Sequence, residues 1–187
     1  MKQIRYNVFE TNSSSTHSIT ILKNGEFDDD WKESYYCDDI DEYSVGSKIS
    51  DYTEWSGDSN YDKYDCVYHV NYGKFSWQWF LLKTFDAKMD YVYTLFKEYE
   101  DYNENGYYAS VVKLIKEKYP DYKKALTDII RKYYKNNNID VEFQKGDDCY
   151  IDHSADYIGM ILFNDKWNLE EILTNDNIVI TGGNDND

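Results

Sequence analysis

Two short polar knots carry most of the side chains in this sequence that could do chemistry. The first is Val8-Phe9-Glu10-Thr11-Asn12-Ser13-Ser14-Ser15-Thr16-His17-Ser18, which packs a carboxylate, six hydroxyls, an amide and one of only three histidines into eleven residues. The second is Asp152-His153-Ser154, near the other end of the chain. Glu10, Ser14, His17, Asp152 and His153 together would supply a nucleophile, a base and its orienting carboxylate, as a hydrolase or a nucleotide-acting enzyme needs. Two histidines and two carboxylates are also a donor set for a divalent metal. Neither chemistry is specified, because the chain has no GxSxG elbow, HExxH helix, phosphate-binding loop or GxGxxG turn. The same residues read more simply as a Ser/Thr/Asn turn bonded to its own backbone and a histidine capping a loop. No catalytic residue, metal or cofactor is therefore assigned.

The knots meet only if the elements that carry them do. Tyr6-Asn7-Val8-Phe9 and Ile19-Thr20-Ile21-Leu22 read as strands flanking the first knot, a β-hairpin with a polar turn. Cys149-Tyr150-Ile151 is a short strand leading into the second. If the terminal strands share one sheet, His17 and His153 could converge at its edge with Glu10 and Asp152.

Between them the chain changes character twice. Residues 26–65 hold fourteen carboxylates against three lysines, eleven negative charges net, out of −16 for all 187 residues. Periodicity is weak there, but tryptophans and tyrosines alternate with the acids, and such aromatics argue against plain disorder. This acidic, aromatic-rich excursion has an ordinary reading as a solvated face. Its sharper reading is phosphate mimicry, with Asp28, Asp29, Asp30, Asp38, Asp39, Asp41 and Glu42 offered to a basic groove. Trp31 and Trp55 would serve as its anchors. Residues 110–135 invert the sign, with eight basic groups against three acidic ones. Lys116, Lys123, Lys124 and Lys132 lie off the apolar stripe and suit contact with a nucleic-acid backbone. With only two arginines in the chain, base reading is not expected, and the alternative is a lysine-rich face kept for solubility.

Apolar spacing predicts three helices over residues 76–135. The first is capped by Ser76 and runs through Phe80, Phe85, Met89, Val92 and Phe96, the second starts at Ala109 and ends at Pro120, and the third starts at Asp121. Ile139-Asp140-Val141-Glu142-Phe143 alternates as a strand. Asn168 caps a brief helix over residues 169–173, a last strand covers residues 177–181, and residues 182–187 read as a tail. The expectation is one α+β domain over residues 1–187, with a mixed or antiparallel sheet from N- and C-terminal strands and about three central helices.

Cys37, Cys66 and Cys149 are odd in number and widely spaced, which points to reduced core thiols and an intracellular setting. No apolar run nears the ~20 residues of a membrane span. The expected protein is soluble and cytoplasmic, with no membrane partner. Nothing in the pattern sets its oligomeric state.

The first knot, residues 8–18, resembles the N-terminal signature of a family of phage- and prophage-encoded small proteins, mostly of unknown function. Tyr150-Ile151-Asp152-His153-Ser154 is similar to a second, shorter motif of that family. Together the two strings cover some sixteen residues and say little about residues 26–135. The resemblance implies a phage accessory protein in the cytoplasm of a bacterial host. Through members of that group it further implies an inhibitor of CRISPR nucleases of the Cas9 type, acting on the guide-RNA-loaded enzyme. The composition agrees independently: an acidic, aromatic-rich protein suits the positively charged channels in which such nucleases hold nucleic acid.

Overall fold

The computed structural model describes residues 2–4, 15–21, 53–54, 60–63, 65–75, 80–100, 102, 105–106, 108–145, 150–151, 159–160, 162–163 and 168–184. Their elements make an α+β fold. Strands β1 (Lys2–Ile4), β2 (Ser15–Ile21), β3 (Thr53–Glu54), β7 (Phe80–Leu82) and β10 (Ile178–Asn184) form a five-stranded mixed sheet in the order β1-β2-β10-β7-β3. Strands from the two ends of the chain thus share one sheet, as expected, with β2 between β1 and β10. β2 runs antiparallel to both β1 and β10, and β3 lies parallel to β7. A second sheet contains β4 (Asn60–Asp62), β5 (Val67–Val70) and β8 (Asp140–Phe143), and a third pairs β6 (Lys74–Phe75) with β9 (Tyr150–Ile151).

Helix α1 (Phe85–Glu100) is the central pillar. Twelve of its sixteen residues are buried, the signature of a helix covered on all sides rather than on one stripe. Tyr91 meets the five-stranded sheet, while Phe85 and Tyr93 meet Tyr68 on β5 and Phe143 on β8. Such a helix can carry polar side chains only if each finds a partner. Lys88 donates to the carbonyls of Asn175 (2.9 Å) and Ile178 (3.0 Å). Asp90 accepts from the Asn71 amide at 3.1 Å. Thr94 donates to the Asp90 carbonyl and accepts from the Gly73 amide. These bonds tie α1 to the exit of β5 and to the turn entering β10.

The remaining helices end where local signals say. Helix α2 (Ala109–Lys118) stops before Pro120, whose ring disfavours helical backbone in the residue ahead of it. Helix α3 (Tyr122–Tyr133) is capped by Asp121, which accepts from the Lys124 amide at 3.0 Å. Helix α4 (Leu169–Thr174) is capped by Asn168 through the Glu170 amide.

Three expectations are corrected. The helical segment does not run from residue 76, because Phe80–Leu82 is a fully buried strand and α1 is capped by Thr84, whose hydroxyl accepts from the Ala87 amide. A three-residue apolar run satisfies both helical and strand periods, and pairing with β10 decides it. Gly182, Gly183 and Asn184 are not tail but strand, in register with His17, Thr16 and Ser15. Cys66 is half-buried in a turn with φ of 55° rather than in the core. Cys37, Cys149 and the strand expected at residues 6–9 lie outside the described residues. Among the described residues no helix is long and apolar enough to cross a membrane.

Candidate functional site

The one member of the first knot whose side chain is described is His17, and it does not stand in a turn. β2 begins at Ser15, so residues 15–18 are already paired with β10. A strand alternates its side chains between faces, and the face that takes Ile19 into the core takes His17 with it. His17 is only 5 % exposed.

Among the described residues, Gly182, Phe80, Tyr91 and Phe75 stand around it. Gly182 on β10 is the cross-strand partner of both His17 and Phe80. Having no side chain, it lets the Phe80 ring lean across β10 until it meets the imidazole edge to face, at 5.0 Å between centroids. Tyr91 approaches from α1 and places its hydroxyl 2.7 Å from His17 Nδ1. Which of the two donates depends on the imidazole tautomer. Phe75 packs on both Phe80 and Tyr91, at 5.4 and 4.9 Å. Burial holds the Tyr91 phenol well above its ordinary pKa, so it remains a neutral hydroxyl throughout the physiological range. The arrangement is an aromatic cage closed on a histidine–tyrosine hydrogen bond. It anchors β2 to the central helix and holds His17 buried rather than open to solvent.

Glu10, Ser14, Asp152 and His153 lie outside the described residues. The strand leading to Asp152, β9, pairs in parallel with β6 in the two-stranded sheet and not with β2 or β10. The partner-binding candidates Asp28, Asp29, Asp30, Trp31, Asp38, Asp39, Asp41, Glu42 and Trp55 also lie outside the described residues. Among the described residues no three His, Cys, Asp or Glu side chains converge as a metal site.

The four lysines singled out from the sequence are all exposed, as the apolar stripe required. Lys124 pairs with Asp128 at 3.3 Å and Lys132 with Glu170 at 2.5 Å. Lys123 lies over the ring of Tyr122 at 5.5 Å. The local carboxylates offset part of the positive charge that a phosphate backbone would need.

A second polar cluster escaped the sequence reading. Asp86, in the first turn of α1, accepts from the hydroxyls of Tyr68 on β5 (2.5 Å) and Tyr134 beyond α3 (3.2 Å). Burial raises the Asp86 carboxyl above its ordinary pKa, and the two hydroxyl bonds pull the other way. Burial and then the adjacent Asp86 charge push both phenols up. The cluster joins three elements by one carboxylate. In sequence Asp86 fell inside the helix expected from Ser76, where nothing marked it as the shared acceptor of two tyrosines.

Comparison with known proteins returns no family model, no curated protein and no solved structure that matches the chain. The functional reading therefore rests on charge and geometry.

Proposed function

We propose that this protein binds a host nuclease of the Cas9 type, loaded with its guide RNA, and blocks target-DNA binding or cleavage through an acidic, aromatic-rich surface. The observation that carries the reading is the charge distribution: eleven of sixteen net negative charges fall within residues 26–65. A nuclease that cradles nucleic acid in a basic channel presents the complementary field. Such complementarity raises the association rate and makes the affinity salt-dependent. The competing enzyme reading needs His17 in a site open to substrate. The burial of His17 against Phe80 and Tyr91 removes weight from it.

The reading places the protein in the cytoplasm of a bacterial host. Its test is cleavage of a labelled target duplex by guide-loaded Cas9, titrated with this protein across a salt series. Inhibition at nanomolar to micromolar concentration, weakening as salt rises, is expected. Reversing Asp28, Asp29 and Asp30 to lysine should weaken it at least tenfold. Undiminished binding and cleavage at micromolar protein would overturn the proposal.

A further inference from the structure

Among the described residues the outer edge of β8 has no strand beside it, and a groove runs along it. β8 is the last strand of its sheet, paired in parallel with β5 only. The amides of Asp140 and Gln144 donate to the carbonyls of Cys66 (2.8 Å) and Val70 (2.9 Å). By the two-residue period of a strand, the N–H and C=O groups of Val141 and Phe143 therefore face away from β5. Two neighbouring carbonyls are already used: Ile139 accepts from Arg131 Nε at 3.0 Å, and Gln144 accepts from the Tyr93 hydroxyl at 2.6 Å. Among the described residues nothing pairs with the outward groups of Val141 and Phe143.

The groove beside them has a volume of about 780 Å³ and is walled by the last turns of α1 and the first turn of α3. Its apolar floor is the Tyr93–Phe143 contact, 5.2 Å between centroids. Its rim carries Lys97, Lys123 and Lys145 against Glu100 and Glu142. Both carboxylates have partners of their own, the Tyr122 hydroxyl at 3.2 Å and His69 at 3.4 Å. Lys123 and Lys145 have no carboxylate partner among the described residues.

We infer that this edge receives an extended acidic segment of a partner protein by strand addition. The backbone of Val141 and Phe143 would supply the ladder, the Tyr93–Phe143 floor would take an apolar side chain, and the rim lysines would take carboxylates on the alternate positions. The protein's overall negative charge does not oppose this. At physiological salt, charges more than ~8 Å away are largely screened, so the rim lysines set the local field. A second copy of this chain fits less well. Two-fold antiparallel pairing of Val141 with Phe143 would bring Glu142 against its own copy, between chains of −16 each. No residue of 26–65 is among those lining the groove, and the inference goes beyond the proposed function.

The test is fluorescence anisotropy of a labelled seven-residue peptide of alternating glutamate and valine, titrated with the full chain. Saturable binding is expected. It should weaken at least tenfold when alternate peptide amides are N-methylated, which removes ladder donors without touching the protein. Lys123→Glu combined with Lys145→Glu, both at exposed positions, should weaken it comparably. Val141→Pro deletes one outward N–H where an edge strand tolerates proline, and should abolish binding with the circular dichroism spectrum retained. Equal binding of the N-methylated peptide, or of a lysine–valine peptide, would overturn the inference. So would tighter binding of a twelve-nucleotide oligothymidylate that displaces the peptide, since it would make the lysines a phosphate site.

Discussion

His17 on β2 and Phe80 on β7 touch edge to face although a whole strand separates them, because the residue between them on β10 is Gly182. A Cβ built on Gly182 would lie 2.2 Å from the Phe80 ring. The ring is buried and held by Phe75 and Tyr91, so it has nowhere to go.

Gly182→Ala should therefore destabilise the fold by about 1–3 kcal/mol, the range of overpacking in a filled core. Urea denaturation checks it. Combining the change with Phe80→Leu should cost less than the sum of the two, since both act at one contact. Strict additivity would mean that the rings do not rest on the glycine.

Tyr91→Phe keeps the ring and removes the hydroxyl facing His17 Nδ1. Losing the partner of a buried polar atom costs about 1–3 kcal/mol, so the unfolding midpoint should fall. If the cage is structural, the proposed inhibition of a Cas9-type nuclease, measured well below that midpoint, should keep its wild-type concentration dependence. Loss of function without loss of stability would instead give His17 a chemical role.

How much of this was legible depended on where each signal lay. Pro120, Asp121 and Asn168 act within a few residues of themselves, and α2, α3 and α4 end or begin where they say. The α+β class followed from the same local periods. The placement of His17 did not, because its partners stand 74 residues away on α1 and across two strands. Gly182-Gly183-Asn184 has no intrinsic preference for a strand, and pairing with β2 imposes one. Lys88 and Asp90 carry charges, which in sequence point to water rather than to a core. Their burial is set by backbone groups of Asn71, Asn175 and Ile178, which no local pattern announces.

Asp86→Ala should be among the more damaging single changes outside the apolar core. It leaves the Tyr68 and Tyr134 hydroxyls without their shared acceptor, and at about 1–3 kcal/mol for each unpaired buried group the loss should reach about 2–5 kcal/mol. Tyr134→Phe, which removes only the longer and less buried bond, should cost distinctly less. Thermal denaturation of the two variants side by side checks the order.

Lys88 gives the fold a measurable response to alkali. Burial lowers its amine from an ordinary value of 10.5 to about 8, with the charge of Asp176 opposing the shift. Between those two values the unfolded chain holds a proton that the folded one has released, so stability attributable to Lys88 rises with pH across that window. The penalty for burying the ammonium is present in full below pH 8 and relieved as the pH approaches 10.5. A neutral amine still has two N–H groups for the carbonyls of Asn175 and Ile178, so the deprotonated side chain keeps both bonds. The tyrosines act the other way, because burial keeps Tyr68, Tyr91 and Tyr134 protonated in the folded state after the unfolded chain begins to ionise near pH 10. The Lys88 contribution is thus read by difference: unfolding free energies of wild type and Lys88→Met at pH 7 and at pH 9.5. Wild type should gain on the variant by about 2 kcal/mol over that interval, most of the ~3 kcal/mol that a shift from 10.5 to about 8 represents. A difference that stays flat with pH would mean that the ammonium is not buried as these distances require.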